Sequence, residues 1–285
     1  MTNPLTSISD TALLVAHHRA MESARADALF HDSFAQRLAG ERGEEIARKL
    51  PWGKRTAWST ITRTVLIDEI VMRLAAGGID TVLNLAAGLD SRPYRLELPA
   101  SLRWVEMDLP AITEAKEELL CNDRPRCQLH RVKVDLANHA ERRRALTEQA
   151  AQMKKALVMT EGLLVYLNAS TVTELASELH QQQAIQHWVT DLLSPAILKR
   201  VQKWWGKQMK AANAWMEFAP AEGTRFFEPL GWREAEFHDL FLNAVRIHRP
   251  PPLAWTLTLR MKLFPKHAAK QLAKMRSGVA LMEKI

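Results

Sequence analysis

One run constrains this chain more than any other: Thr81-Val82-Leu83-Asn84-Leu85-Ala86-Ala87-Gly88-Leu89-Asp90-Ser91-Arg92. A nearly all-apolar strand leads straight into a turn of small side chains. A backbone bends that sharply, and lets a ligand touch it, only where side chains are small or absent. A second strand follows and ends in acid, Leu102-Arg103-Trp104-Val105-Glu106-Met107-Asp108. Strand, small-residue turn, helix, strand and terminal acid, spaced by about twenty residues, is the order in which a doubly wound sheet grips a nucleoside.

The pattern continues around this unit. Thr11–Ala39 and Ala57–Ala76 carry apolar residues at helical spacing, and Gly77-Gly78 stops the second stretch; Leu50-Pro51-Trp52-Gly53 reads as a connector. Further strands are expected at Leu129–Val134, Ala156–Thr160 and Ile185–Leu192, with helices at Ala111–Leu120, His139–Gln152 and Ala169–His180. This β–α alternation predicts a parallel sheet covered by helices on both faces. Ser194–Leu230 is too long for a simple connection and is rich in Trp and Met, so it reads as a helical lid insertion or as helical padding of the sheet edge.

After Gly231-Trp232 the sequence predicts a helix at Arg233–Leu242, a short strand at Ala244–His248, a proline turn, and a strand at Trp255–Leu263 with strict alternation. Five parallel strands plus an antiparallel pair make an α/β, Rossmann-like, class I methyltransferase sheet. It has seven strands, mostly parallel, with an antiparallel last strand. The expected organisation is a single domain over 1–285. N-terminal helices occupy 11–78, the cofactor-binding core 79–193, the helical lid 194–230, the final helix and strand pair 231–264, and a basic tail 265–285.

The net charge of +7 is unevenly spread. From Arg246 onward nine bases (Arg246, Arg249, Arg260, Lys262, Lys266, Lys270, Lys274, Arg276 and Lys284) face one acid, Glu283, so Met1–Val245 carries −1. That distribution argues against a whole-protein nucleic-acid surface. Lys266, Lys270 and Lys274, with Leu272, Met275, Val279 and Met282 opposite, read as a basic amphipathic helix. Its basic face is either solvated or set on an acidic partner or an anionic membrane surface. No apolar run reaches the ~18 residues of a membrane span, and Met1–Asp10 has no basic and apolar leader pattern. Cys121 and Cys127 fit neither a redox pair nor a zinc site, and the expectation is a cytoplasmic protein with two ordinary thiols.

Four segments carry a family resemblance. Asn84–Leu96 resembles the NLGAGLDTRxxRL motif of the leucine carboxyl methyltransferase family, which includes bacterial O-methyltransferases of the polyketide-biosynthesis type. Glu106-Met107-Asp108-Leu109-Pro110 resembles its E-x-D-x-P, and Thr160–Leu167 its EGLLxYL segment. Thr11–Ala16 with Arg19–Ser23 is similar to the entry helix of the bacterial branch. The resemblance implies S-adenosylmethionine as cofactor, with S-adenosylhomocysteine as product and no metal.

It also implies site residues. The turn of Ala86, Ala87 and Gly88, with Asp90 and Arg92, would let backbone approach the methionine moiety. Asp108 and Leu109 would lie at the ribose, the Asp108 carboxylate accepting from the diol. Asp135 and Leu136 would meet adenine, Glu161 and Gly162 the methionine end, and Arg63 the cofactor carboxylate. Each acid also has a plainer role open to it, Asp108 and Asp135 as helix caps. Arg63 could be an ordinary solvated charge. The family usually has Gly where this chain has Ala86, which leaves the turn possible and the cofactor less closely held.

His17 and His18, adjacent on a helix, diverge by about 100° and cannot share one metal ion. Tyr166, His17 and His18 are candidates for a base should the acceptor be a phenol; a carboxylate acceptor needs none. Arg19, Tyr166, Trp204, Trp205 and Trp215 are expected to shape the acceptor pocket. The function expected is methyl transfer by in-line displacement to a hydroxyl or carboxylate of a small, aromatic or apolar molecule. The alternatives are a protein-carboxylate or RNA methyltransferase, a non-catalytic S-adenosylmethionine-binding regulatory protein, and a nicotinamide enzyme. Oligomeric state is left open.

Overall fold

A computed structural model describes residues 9–50, 56–252, 254–263 and 275–285. The connector at Pro51-Trp52-Gly53 and the tail residues Lys266, Lys270, Leu272 and Lys274 lie outside the described residues. Strands β1 (Thr81–Leu85), β2 (Arg103–Asp108), β3 (Gln128–Lys133), β4 (Ala156–Thr160), β5 (Ile185–Leu192), β6 (Trp232–Asp239) and β7 (Gly278–Lys284) form one sheet in the order β3-β2-β1-β4-β5-β7-β6. The first five are parallel, and β7 runs antiparallel to both β5 and β6. The α/β sheet with an antiparallel last strand is therefore as expected.

Strand alternation divides the core. Val82, Leu157, Met159, Val279 and Leu281 face α3 (Ala57–Ala76), where Leu66, Ile67, Ile70 and Val71 are buried against them. Leu83, Leu85, Val158, Ala280 and Met282 face the other way, toward α6 (His139–Ala150) and α7 (Ala169–Gln181). β1 and β4 are buried on both faces, which is why their sequences are apolar without alternation. Asn138 and Asn168 cap α6 and α7 by accepting backbone N–H bonds.

Four expectations are corrected. Thr11–Ala39 is two helices, α1 (Ser9–Ser23) and α2 (Ala35–Lys49). The break is pinned by buried Glu22, which accepts from Leu29 N at 2.9 Å, and by Asp32, which accepts from Ser91 Oγ at 2.6 Å. Arg233–Leu242 is β6 followed by α9 (Leu240–Arg246), which also replaces the strand expected at Ala244–His248. β6 is the edge of the sheet, where alternating charges (Arg233, Glu234, Glu236) suit a strand with one open side. Trp255–Leu263 belongs to a helix, α10 (Ala254–Leu263), and not to a strand. A period of two also places residues at i, i+4 and i+8, so the same run satisfies a helical row. The antiparallel last strand is instead Gly278–Lys284, which absorbs Val279 and Met282 of the supposed tail helix.

The insertion is partly anchored in this core. α8 (Pro195–Ala211) starts it, and Phe218 and Phe227 are buried near its end. Phe227 and Trp232 meet Trp188 of β5 edge-on, with ring centroids 5.2 and 5.5 Å apart.

Gly278 opens β7 against β6 so closely that a Cβ would lie 2.1 Å from the His238 carbonyl oxygen. Neither backbone can yield without breaking the ladder. Gly278→Ala is expected to lower stability by about 1–3 kcal/mol, the usual range for overpacking. Urea unfolding of the variant checks this, and a midpoint equal to the parent's would refute it.

Candidate active site

The C-terminal ends of the parallel strands meet at one place, as they do at ligand sites of open α/β sheets. After β1 the chain turns through Ala86 and Gly88, whose φ values of 53° and 48° are left-handed. Ala86 N donates to Met107 O at 2.8 Å. Asp108 closes the turn from β2, its Oδ2 accepting from Gly88 N at 2.6 Å and its Oδ1 from Leu109 N at 2.7 Å. The helix after it, α5 (Pro110–Leu119), has Leu109 at its N-cap without a side-chain cap bond. The carboxylate therefore braces the turn and does not cap that helix. Burial pushes the Asp108 carboxyl above the usual carboxylate range, opposed by its two backbone N–H bonds.

Beneath the turn lies a chain of buried and half-buried ions. Arg92, at the start of the short helix α4 (Arg92–Arg95), is 3% exposed. It donates to Asp68 of α3 at 2.6 Å, Asp90 at 3.0 Å and Glu161 after β4 at 2.8 Å. Arg63 of α3 continues the chain, donating to Glu161 at 2.8 Å and to Asp191 in β5 at 3.0 Å. Asp191 Oδ1 accepts from Gly162 N at 2.6 Å, in a turn where Gly162 has a φ of 66°. Asn84 of β1 donates to Asp90 at 2.9 Å.

Electrostatics follow from this packing. Burial alone would push Asp90 up, but Arg92, Lys116 and Arg19 together outweigh it and bring its carboxyl to about 2. Burial also opposes the ionisation of Glu161, and the Arg92 and Arg63 guanidinium groups hold it below its ordinary value all the same. Desolvation raises the Tyr166 phenol.

A cavity of about 1010 Å³ opens over these groups. Arg63, Ala86, Ala87, Gly88, Asp90, Arg92, Asp108, Leu109, Asp135, Leu136, Glu161 and Gly162 all line it, so every residue expected around the cofactor reaches one space. They differ in what they can offer it. Arg92 is enclosed by three carboxylates, and Arg63 directs two of its five donors at carboxylates of the chain. Asp135 is exposed and accepts from Ala137 N at 2.9 Å; it does not cap α6, where Asn138 sits.

The expected acceptor residues are less evenly placed. Tyr166, Trp204, Trp205, His18 and Arg19 line the cavity. His18 Nδ1 lies 3.1 Å from Thr60 Oγ1, and Arg19 is tied to Asp32 at 2.9 Å and to the Leu89 carbonyl at 2.6 Å. His17 is buried and is not a lining residue. Its ring is 6.5 Å from that of His18. Trp215 is corrected: it packs against Gly206, where a Cβ would come within 3.3 Å of its ring, and under Lys210 at 4.8 Å, outside the cavity wall. Among the described residues no three His, Cys, Asp or Glu are grouped to hold a metal ion.

Asp191, Asp68 and Asn84 were not expected at the site. A signal for Asp191 did exist: β2 ends in Asp108, β4 runs into Glu161, and Asp191 stands at the same end of β5. Asp68 gave none, since one acid on a helix looks like any solvated charge.

Comparisons with known proteins bear on the family and the fold. The sequence pattern of the family described as leucine carboxyl methyltransferase matches residues 12–180. A Streptomyces coelicolor protein named as a candidate S-adenosyl-L-methionine-dependent methyltransferase is 32% identical over 84% of this chain and 88% of its own length. A Mycobacteroides abscessus protein of the same description is 36% identical over 61% of each chain. Among solved structures, a Thermobifida fusca protein described as a candidate methyltransferase shares the fold. Its TM-score is 0.61 at 16% identity, over 99% of this chain and 96% of that one.

Two expectations test the site itself. Ala86 bears a left-handed backbone that costs a residue with a Cβ about 1–2 kcal/mol, against the ~0.5–1 kcal/mol entropic penalty of glycine. Ala86→Gly is thus expected to raise stability by a net ~0.5–1 kcal/mol in chemical denaturation; a loss would mean the turn is unstrained. The second concerns acid. Asp90 has a folded value below its unfolded one, so its contribution is present above the ordinary ~3.8 and is lost as pH falls toward about 2. That contribution is roughly 2 kcal/mol. Between these limits Asp90→Asn should show a shallower fall of stability with pH than the parent, measured by denaturant midpoints; parallel curves would refute the assignment.

Proposed function

We propose that this chain, which belongs to the leucine carboxyl methyltransferase family and is an S-adenosylmethionine-dependent methyltransferase, methylates an oxygen, hydroxyl or carboxylate, of a small aromatic or apolar molecule. One observation carries the reading. The cavity over the strand ends is polar at its floor and apolar beyond it, walled by Leu14, Val15, Ile197, Trp205, Met209 and Met216. Its volume stands at the top of the ~300–1,000 Å³ typical of pockets for one small ligand. A cofactor and a compact acceptor therefore have room side by side.

In this reading Asp108 accepts from the ribose diol with the lone pairs its two backbone bonds leave. Asp135 and the backbone N–H of Leu136 flank adenine. Glu161, Asp191 and the remaining donors of Arg63 face the zwitterionic methionine end, and Arg92 fixes their positions from below. The bound cofactor supplies a methyl group already activated on a sulfonium. What the protein adds is alignment of the acceptor oxygen and exclusion of water. Trp205 and Met209 on α8 set the acceptor's plane, and α8 with α1 covers it. A carboxylate acceptor needs no base. For a phenol, His18 on the wall, with Nδ1 3.1 Å from Thr60 Oγ1, is the base in this reading, whereas burial raises the Tyr166 phenol, which stays protonated at neutral pH and does not take the proton. The N-terminal helices, the core and the insertion act as one domain.

The test is a screen of phenols and carboxylic acids with labelled cofactor, followed by location of the new methyl by NMR. Methyl found on nitrogen or carbon would overturn oxygen transfer. Asp108→Ala is expected to weaken cofactor binding by about 1.5–3 kcal/mol, the range for hydrogen bonds to a charged group, read by calorimetry with S-adenosylhomocysteine. Trp205→Ala should raise KM for the acceptor and leave cofactor affinity nearly unchanged.

A further inference from the structure

Helix α8 is built in rows. Ile197, Val201, Trp205 and Met209 recur every four residues and all line the cavity. Lys199, Lys203 and Lys207 recur every four on the opposite side, with Lys210 beyond them, and all four are exposed. Arg200 and Trp204 lie between the rows. Both line the cavity and both are exposed, Trp204 at 52%, so they mark its opening. No acid occurs between Asp191 and Glu217, against these five bases. Among the described residues none of the five has a carboxylate partner within salt-bridge distance. The C-terminal arginines differ in this respect: Arg249 pairs with Glu22 at 2.9 Å, Arg276 with Glu234 at 2.7 Å and Arg246 with Glu69 at 3.5 Å. A row of bases without carboxylate partners therefore stands on α8, beside the cavity mouth.

A second helix brings apolar groups to the same cavity. Pro251, Pro252 and Ala254 line it. From there α10 presents Trp255 at 66%, Leu259 at 46% and Leu263 at 62% exposure, one row at i, i+4 and i+8. Arg260 and Lys262 are interleaved in its sequence, and no acid occurs from Ala244 to Met282.

We infer that the face formed by α8 and α10 around the cavity mouth docks on an anionic lipid bilayer surface. Exposed Trp and Leu on α10 and Lys and Arg without carboxylate partners on α8, two helices that border one cavity and carry no acid, match the chemistry of helices lying in the headgroup layer. The indole and leucine groups enter the acyl boundary, and the lysines stay at the phosphates. A soluble acidic partner would match the charge but would not account for a whole row of exposed Trp and Leu. No described helix is long and apolar enough to cross a membrane, so the attachment is to one face. Docked in this way, the mouth marked by Arg200, Trp204 and Pro252 opens onto lipid, and an acceptor dissolved there enters without crossing water. That last step rests on the apolar-acceptor reading; the docking does not.

The experiment is co-sedimentation of the full chain with vesicles of phosphatidylcholine, alone or with about one third phosphatidylglycerol, first at low salt and then at ~0.15 M. Binding to the anionic vesicles is expected, at least tenfold weaker to the neutral ones and weaker as salt rises. Each basic residue at such a surface contributes about fivefold. The combined Lys199→Glu, Lys203→Glu, Lys207→Glu variant should therefore lose at least about a hundredfold, while S-adenosylhomocysteine still raises its Tm. The combined Trp255→Ser, Leu259→Ser, Leu263→Ser variant should also bind less, which separates insertion from charge alone. Equal binding to both vesicle types, no binding at low salt, or charge-reversed protein that binds like the parent would overturn the proposal. So would binding to polyglutamate or single-stranded RNA with none to vesicles, which would assign the face to a soluble polyanion. None of these readouts requires turnover, so failure of the docking and failure of the acceptor reading are distinguishable.

Discussion

The guanidinium of Arg92 holds this site together. It sits at the entry to a four-residue helix and draws Asp68 from α3, Asp90 from the turn after β1 and Glu161 from the end of β4 onto one planar fork. Arg63 extends the arrangement to Asp191 in β5. Three strand ends and a helix are thereby set at fixed distances from one another before any ligand arrives. Buried charges of this kind are weak contributors to stability when compared with apolar packing, but removal of one member leaves the others uncompensated. Their value here is geometric: the floor of the cavity is preorganised, and little has to move when a charged ligand enters.

Asp108 plays a lesser version of the same part. Its two oxygens fasten the Gly88 and Leu109 amides, so the turn after β1 and the end of β2 form one rigid lip. Above this rigid floor the cavity is walled by helices α1 and α8, whose apolar residues Leu14, Val15, Ile197, Val201, Trp205 and Met209 line it beside Arg19 and Arg200. Polar ground fixed by ion pairs and a cover of Trp and Met give the cavity two unlike halves.

Much of this was legible in the sequence, for identifiable reasons. β1, β4, β5 and α3 fall where the sequence places them because burial on both faces, or a continuous apolar stripe, leaves no competing pattern. The residues that the family resemblance implies around the cofactor all line one cavity. The region after Leu192 was not legible to the same degree. β6 is an edge strand whose charges imitate a helix, and α10 alternates like a strand. The apolar run Gly278–Met282 is short enough to pass for the end of an amphipathic helix. Which strand fills the gap beside β5 is a question of long-range pairing, and local periodicity carries no information about it. Trp215 shows the same limit for a side chain, since composition marks a residue as an anchor without saying which surface it anchors.

The place of β7 has a consequence for how the chain is made. β5 finds its antiparallel neighbour only after β6, α9 and α10 have been synthesised, and among the described residues β6 pairs with β7 alone. During synthesis the nascent chain therefore presents two open hydrogen-bonding edges, one of them on β5 with its buried-type residues Trp188, Val189 and Thr190. Such an edge is a template for pairing with another chain. Yield in the cell should thus be governed by how long that edge waits, a kinetic exposure that the finished sheet no longer displays.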